Sequence, residues 1–264
     1  MILKVAALQF HVKLGDKDAN MFQAEDMIAE AAAAGAKLIL LPELWNCGFD
    51  KENLEKAAED IQGPAVSMLR TLAKKYNMFI IGGSFVEKKQ GHYFNTCPVI
   101  DAGGSIVEKY RKVHLFSYGW HEEEYFAPGD EWSIIESPFG FLAGLTICYD
   151  LRFPEFYRNL ALRGARLLTV PAEWPEARIA EFEIFCRSRA AENRCYLIAT
   201  NACGDGYGGT SLIVSPFGEI LAKAGEENEI IFADLDFAVF DEVQFFNSIK
   251  DRRQFLDEID DNQL

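Results

Sequence analysis

The sequence has few basic residues, no long apolar run and no closely spaced pair of cysteines, and each absence excludes a class of protein. Its 26 basic and 41 acidic residues give a formal net charge of −15, which repels the phosphates of nucleic acids and anionic lipid headgroups. No apolar run approaches the roughly 20 residues that a membrane-spanning helix needs. We therefore expect neither a nucleic-acid nor a membrane partner.

The sequence also lacks the marks of a secreted or metal-binding protein. The segment "MILKVAALQF" has no basic leader and precedes the polar stretch "HVKLGDKD", so no signal peptide is expected. Six cysteines lie far apart, and the four histidines show no HxH spacing. We expect free thiols, a cytoplasmic location, no metal and no other cofactor. The cysteines and histidines are Cys47, Cys97, Cys148, Cys186, Cys195, Cys203, His11, His92, His114 and His121.

What the sequence does contain is an alternation of apolar strands and helices in both halves. Helices are predicted for residues 19–34, 65–77, 153–164 and 176–193, with short strands and hairpins between them. Gly35 is the predicted C-cap of the first helix, and the third is predicted to stop at Gly164. The content of 49% hydrophobic residues is enough for a large core. The pattern predicts one α/β domain, residues 1–264, in which two mixed β-sheets pack face to face with helices outside. The acidic tail "DEIDDNQL" is predicted to be solvated.

Three polar residues follow directly from predicted apolar strands. They are Glu43 after "LILLP", Lys112 within "EKYRKVHLF" and Cys148 after "GLTI". Functional groups often gather beyond strand ends, where a rigid scaffold aims side chains into a cleft. A carboxylate, an amine and a thiol together make an acyl-transfer site, in which the cysteine attacks a carbonyl, the glutamate moves its proton and the lysine stabilises the oxyanion.

The residues alone leave other roles open for all three. An isolated cysteine has a pKa of about 8.5, so a thiolate needs a nearby positive charge, and Lys112 is the candidate source. Cys148 also fits a core position, because cysteine is often buried as a small hydrophobe. Glu43 fits a helix cap, and Lys112 fits a solvated base.

Taken together, these segments resemble the nitrilase superfamily of carbon–nitrogen hydrolases. The stretches "LLPELWNCGF", "EKYRKVHLF" and "GLTICYDLRFPE" are similar to the family's glutamate, lysine and nucleophile motifs, in that order. The stretches "RSRAAENRCYLIATN" and "GGTSLIVSPFGEIL" also match, so the resemblance covers most of the chain. It implies a four-layer α-β-β-α sandwich with two mixed β-sheets.

The resemblance further implies a catalytic triad of Glu43, Lys112 and Cys148. Cys148 would form a thioester with the acyl group and release ammonia or an amine, and a water activated by Glu43 would hydrolyse the thioester. Lys112 and the backbone N–H of Tyr149 would form the oxyanion hole.

Many members of this family carry a second pocket glutamate, seven residues before the glycine of a "PG" pair. Here the glycine is Gly129, and the count gives Glu122. Glu123 and Glu124 are adjacent candidates, and a solvated acidic loop is the alternative interpretation of the run.

The stretch "VPAEWPEAR" resembles that of bacterial ω-amidase-like members, which act on monoamides of short dicarboxylic acids. Such substrates carry a remote carboxylate, which the guanidinium of Arg178 could bind in a bidentate manner. An exposed arginine at a helix start is the alternative. Trp174, Phe116 and Tyr118 are candidates for the wall of a small pocket, although aromatic residues also serve in packing.

The function implied is thiol-dependent hydrolysis of a non-peptide carbon–nitrogen bond, with water and a small carboxylate-bearing amide such as 2-oxoglutaramate or succinamate as substrates. The alternatives are an N-carbamoyl amine or simple aliphatic amide hydrolase, acyl transfer to an amine, and a non-catalytic binding homologue. Dimers are common in the family, so a homodimer or a higher homo-oligomer is expected.

Overall fold

Two mixed β-sheets form the centre of the protein. The computed structural model describes residues 2–240, so the acidic tail predicted at the C-terminus lies outside the described residues. The strands are β1 (Ile2–Gln9), β2 (Leu38–Leu40), β3 (Phe79–Ile81), β4 (Phe85–Lys89), β5 (His92–Ile100), β6 (Ile106–Arg111), β7 (Ser133–Glu136), β8 (Leu142–Leu145), β9 (Ala165–Ala172), β10 (Tyr196–Asn201), β11 (Cys203–Gly204), β12 (Tyr207–Gly208), β13 (Leu212–Val214), β14 (Ile220–Lys223) and β15 (Glu229–Asp236).

The first sheet has the strand order β15-β1-β2-β3-β5-β4, with β6 paired to β5, and the second has the order β14-β13-β10-β9-β8-β7. Parallel pairs lie at the centre of each, β1–β2–β3 in the first and β8–β9–β10 in the second, and antiparallel strands lie outside them. Both sheets are therefore mixed, as the sequence predicts. Strands β11 and β12 form a separate short hairpin.

Helices cover the outer face of each sheet. Helices α1 and α3 pack on the first sheet, and α4 and α5 pack on the second. The four-layer α-β-β-α sandwich is therefore confirmed. No helix among residues 2–240 is long and apolar enough to cross a membrane. The helices are α1 (Lys17–Ala33), α2 (Leu54–Ala57), α3 (Pro64–Tyr76), α4 (Pro154–Leu162) and α5 (Ile179–Asn193), with short 3₁₀ helices at Glu122–Glu124, Cys148–Arg152 and Glu176–Arg178.

The alternation of side chains along a strand explains why both faces of the first sheet are apolar. In β1, Val5 and Ala7 belong to the core between the sheets, whereas Ala6 and Leu8 belong to the core beneath α1 and α3. Successive side chains of a strand point to opposite faces, so a continuous apolar run fits a sheet that is covered on both sides.

Local signals mark the start of α1 and the end of α4. The carboxylate of Asp16 accepts a hydrogen bond from the Ala19 N–H at the start of α1, as an N-cap does. Gly164 follows α4 with a φ of +99°, a conformation that glycine adopts without the steric penalty of a Cβ.

Candidate active site

The side chains that follow the strand ends meet around a cavity of about 460 Å³. Every residue for which the sequence predicts a place in the site contributes to its wall. The lining residues are Glu43, Phe49, Lys112, Phe116, Tyr118, Trp120, Glu122, Cys148, Tyr149, Arg152, Glu173, Trp174, Pro175, Arg178, Glu181 and Tyr207.

The carboxylate of Glu43 is held by four donors and is not a helix cap. Its Oε1 accepts hydrogen bonds from Lys112 Nζ and Asn95 Nδ2, both at 2.8 Å. Its Oε2 accepts one from the backbone N–H of Glu173 at 2.9 Å, and the carboxylate also pairs with the Cys148 thiol. Glu43 is only 3% exposed, so this geometry is fixed by buried neighbours from both sheets.

The geometry distinguishes Glu122 from its two acidic neighbours. Glu122 is buried, and Lys112 Nζ lies 2.8 and 3.0 Å from its two carboxylate oxygens. The Phe116 N–H donates to Glu122 Oε2 at 2.6 Å. The side chains of Glu123 and Glu124 are 46% and 64% exposed. Of the acidic run, Glu122 alone faces the lysine, which is the position that the seven-residue spacing predicts.

Cys148 stands at a sharp change in backbone direction. Strand β8 ends at Leu145, two residues earlier than the apolar run predicts, because the Ile147 N–H donates to Asp150 Oδ2 at 2.8 Å. Cys148 itself has a φ of +44° and begins a 3₁₀ helix. Non-glycine residues in this left-handed region carry strain and occur often at functional sites.

Asp150 fixes this turn from beneath. It is fully buried, and besides the Ile147 N–H it accepts a hydrogen bond from Tyr110 OH at 2.7 Å. Its Oδ1 lies 2.7 Å from Nδ1 of His114 and accepts from the His114 N–H at 3.1 Å. The carboxylate therefore ties the nucleophile turn to the segment after β6.

Burial raises the pKa of the Cys148 thiol well above its usual value, and the negative charge of Glu43 raises it further. Lys112 acts in the opposite direction but is outweighed. Lys112 thus acts in the direction that the sequence analysis expects, but its effect is smaller than that of burial and Glu43, because the same cation also binds two carboxylates. The resting site therefore favours the protonated thiol, and a base that takes this proton assists attack.

Lys112 stays charged although it is buried. Burial alone would lower the pKa of its ammonium group, but the carboxylates of Glu122 and Glu43 raise it well above the usual value. Burial also raises the pKa of Glu122, and the charge of Lys112 offsets part of that effect. The site thus holds a permanent cation beside the thiol.

The rim of the cavity carries two arginines bridged by one carboxylate. Arg178 Nη1 and Arg152 Nη2 bind the two oxygens of Glu181 at 2.7 and 2.8 Å. Their hydrogen bonds lower the pKa of Glu181. Arg178 lines the cavity and its side chain is also 60% exposed at the start of α5. Its position therefore fits both a substrate-binding arginine and an exposed arginine at a helix start.

The aromatic candidates differ in burial. Trp174 is buried, and its Nε1 donates to the carbonyl of Arg178 at 2.9 Å. Phe116 packs against Tyr149 with ring centroids 4.9 Å apart. Tyr118 is 81% exposed and contributes only an outer edge of the cavity.

Several site residues were not identified from the sequence. Phe49, Trp120 and Tyr207 form an aromatic wall with centroids about 6 Å apart, and no local pattern marks them. Asn95 lies within β5, where its polar side chain in an apolar strand was a usable signal. Glu173 follows β9 directly, which is the same strand-end signal that identifies Glu43.

The arrangement contains the groups of an acyl-transfer site. Among residues 2–240 no group of three or more histidine, cysteine, aspartate or glutamate side chains could hold a metal ion. A protonated thiol, an adjacent carboxylate base and a fixed cation are the groups that attack on a carbonyl carbon requires.

This fold with this site defines an enzyme that cleaves carbon–nitrogen bonds through a cysteine. The sequence pattern of the carbon–nitrogen hydrolase family matches residues 4–245, and the chain belongs to that family. The resemblance drawn from its motifs is therefore confirmed.

The chain is similar over most of its length to named amidases and to a solved structure. The chain is 36% identical to a 2-oxoglutaramate amidase of Bacillus subtilis (strain 168), over 91% of this chain and 93% of the relative. It is 34% identical to the human omega-amidase NIT2, over 91% of each. The crystal structure of Saccharomyces cerevisiae Nit3, a nitrilase-superfamily member, superposes with a TM-score of 0.87 at 30% identity, covering 96% of this chain and 97% of Nit3.

Proposed function

We propose that this carbon–nitrogen hydrolase cleaves monoamides of short dicarboxylic acids, such as 2-oxoglutaramate or succinamate, through a thioester on Cys148. The observation that carries the mechanism is the contact of Glu43 with both Lys112 Nζ and the Cys148 thiol inside one cavity. A base, a cation and a nucleophile within contact of one another supply each proton transfer and charge that amide hydrolysis needs.

In the first half of the reaction, the thiol proton passes to Glu43 as the sulfur attacks the amide carbon. A C–S bond forms, and the carbonyl oxygen takes the negative charge beside Lys112 and the backbone N–H of Tyr149. Collapse of this tetrahedral species breaks the C–N bond. Glu43 returns its proton to the departing nitrogen, which leaves as ammonia.

In the second half, Glu43 takes a proton from a water molecule that attacks the thioester carbon. A C–O bond forms, and the second tetrahedral species collapses with cleavage of the C–S bond. The thiolate recovers the proton from Glu43, which restores the resting thiol. Both oxygens of Glu122 accept hydrogen bonds from Lys112. Glu122 therefore holds the ammonium group in place and keeps it charged through both halves of the reaction.

The choice of substrate class is supported by the relatives and by the rim. The Bacillus subtilis and human relatives are named for 2-oxoglutaramate amidase and omega-amidase activity. Arg152 and Arg178 place two guanidinium groups at the mouth of an otherwise acidic protein, and Arg178 is our candidate for the clamp on the remote carboxylate. Phe116, Trp174 and Tyr118 complete the wall around the acyl chain.

A specific observation favours simple aliphatic amides as the second candidate. Glu181 already binds both arginines, so a neutral acyl chain would meet a rim without free charge and a largely aromatic wall. N-carbamoyl amines present the same uncharged reacting end and belong to this alternative.

The experiment is ammonia release from succinamate, 2-oxoglutaramate, glutamine, an N-carbamoyl amino acid and butyramide, with Cys148→Ala beside each. We expect the first two to give the highest kcat/KM, with all turnover lost in the variant. A preference for butyramide would favour the second candidate. Hydroxylamine added to the assay gives hydroxamate if the thioester also transfers its acyl group to amines.

We also propose that the protein works in the cytoplasm, as a homodimer or a higher homo-oligomer. The six cysteines are free and buried, which suits a reducing compartment. Ile184, Phe217 and Leu221 are large apolar side chains exposed to solvent. Size-exclusion chromatography with light scattering measures the mass of the assembly. A monomer at micromolar concentration would contradict the proposed oligomer.

A further inference from the structure

Glu173 brings a third carboxyl group to the catalytic cavity, and no cation is paired with it among the described residues. Its Oε2 accepts a hydrogen bond from Tyr207 OH at 3.3 Å. Its Oε1 is shielded from bulk solvent and has no hydrogen-bond partner in the part of the chain described. A buried polar atom without a partner is rare and costly in a native protein, so the described residues do not fully satisfy the Glu173 carboxyl.

The position of Glu173 ties its side chain to the reacting centre. Its backbone N–H donates to Glu43 Oε2 at 2.9 Å and also contacts the Cys148 sulfur. The carboxyl lines the cavity between this point and the Tyr207 ring. A substrate whose amide carbon contacts Cys148 therefore places its acyl part near Glu173.

The surroundings of Glu173 favour the protonated, uncharged form of the carboxyl. Burial raises its pKa well above the usual value, and the negative charges of Glu43 and Glu122 raise it further, while Tyr207 and Lys112 act in the opposite direction. The remaining titratable groups that face it are the thiols of Cys47 and Cys148, whose pKa values are also raised by burial.

An uncharged carboxylic acid can donate a hydrogen bond that a carboxylate cannot. Each cation of the cavity wall already binds a protein carboxylate: Lys112 binds Glu43 and Glu122, and the two rim arginines bind Glu181. A substrate carboxylate must compete for those cations, whereas the acid proton of Glu173 faces only the neutral Tyr207 hydroxyl, at 3.3 Å, as an acceptor among the described residues.

We propose that Glu173 is a specificity-determining residue whose carboxylic acid donates a hydrogen bond to a carboxylate oxygen on the acyl part of the substrate. This inference deepens the proposed function and depends on it. The bond is charge-assisted, since the acceptor is ionised, and such bonds are roughly twice as strong as neutral ones. A substrate with a methyl group in place of the carboxylate leaves the acid without a partner.

The test compares succinamate with butyramide, two four-carbon amides that differ in a carboxylate against a methyl group. We expect Glu173→Leu to reduce the ratio of kcat/KM for succinamate to that for butyramide by about ten- to a hundredfold. Glu173→Gln keeps an N–H donor of similar size and should recover most of that ratio. An unchanged ratio in Glu173→Leu, with the preference for succinamate retained, would overturn this inference alone.

The pH dependence supplies a second measurement that does not require Glu173→Leu to fold. As pH rises and Glu173 ionises, its negative charge repels the substrate, so KM for succinamate should rise in the wild-type enzyme more than KM for butyramide. Glu173→Gln cannot ionise and should lose this difference. The same pH profile in both enzymes would overturn the inference. A wild-type enzyme without any preference for succinamate would overturn the proposed substrate class and this inference with it.

Discussion

Lys112 Nζ lies 2.8 Å from Glu43 Oε1, and both side chains are almost fully buried. The same ammonium group contacts Glu122 at 2.8 Å, so one cation compensates two carboxylates. This arrangement fixes the catalytic base in place beside the thiol. It also makes the cation part of the protein's stability, since a buried carboxylate without a partner is costly.

Lys112→Met should therefore destabilise the fold as well as abolish activity. Removing one partner of a buried ion pair typically costs about 3–5 kcal/mol in the free energy of unfolding, which urea titration measures. The double variant Lys112→Met/Glu122→Gln removes one stranded carboxylate and should recover part of this loss. Lys109→Met is the matched control, because its partner Glu87 keeps Arg111 at 2.8 Å. Equal losses in Lys109→Met and Lys112→Met would contradict the prediction.

Cys148→Ala should reduce ammonia release by at least about 10⁴-fold, since a nucleophile that forms the covalent intermediate cannot be replaced by a methyl group. The far-UV circular dichroism spectrum and the melting temperature should stay close to those of the wild type. Cys97→Ala and Cys203→Ala serve as controls and should keep activity within a few fold, because neither thiol lines the cavity. Residual turnover in Cys148→Ala comparable to these controls would refute the thioester mechanism.

The fold was largely predictable because its signals are local. Short apolar runs identified strands such as β1, and glycines such as Gly164 marked helix ends. Helix α2 and the hairpin β11–β12 were not predicted. Both are too short to carry a periodic pattern, and tertiary contacts decide their conformation.

The catalytic residues of the site were predictable, but its aromatic wall, Glu173 and its electrostatics were not. Glu43, Lys112 and Cys148 follow strand ends, so their types and positions indicated a shared edge. Burial and the charge of Glu43 raise the pKa of the thiol, and Lys112, which also binds Glu122, acts in the opposite direction. Those contacts join residues 69 and 10 positions apart, and no sequence spacing gives such distances.

The reactivity of the Cys148 thiol should depend on pH in a way that Glu43 controls. Burial and Glu43 hold the pKa of the thiol above its usual value. The thiolate fraction therefore increases only at pH values above the pKa of an ordinary cysteine. The rate of alkylation by iodoacetamide should therefore keep rising through the alkaline range. Glu43→Gln removes the negative charge and should move the rise to lower pH. A plateau near neutral pH in the wild type would contradict this assignment.

Substitutions of Arg178 and Glu181 should change KM in opposite directions for substrates that carry a carboxylate. If Arg178 is the clamp, Arg178→Ala should raise KM for succinamate about three- to tenfold, a modest effect because the guanidinium is 60% exposed. Glu181→Gln releases both rim arginines from their carboxylate partner and should lower KM for succinamate. The measurement is steady-state ammonia release at constant ionic strength, with butyramide as the uncharged reference.

The matched control for these two variants is Arg163→Ala, which removes the same charge from an arginine that packs on Trp132 outside the cavity. A general effect of net charge on an anionic substrate would change KM in Arg163→Ala as much as in Arg178→Ala. A local clamp changes KM for succinamate only in Arg178→Ala, because Coulomb interactions between exposed charges are screened beyond about 8–10 Å at physiological ionic strength. Equal changes for succinamate and butyramide in Arg178→Ala would remove Arg178 from the substrate site and leave the arginine as a surface partner of Glu181.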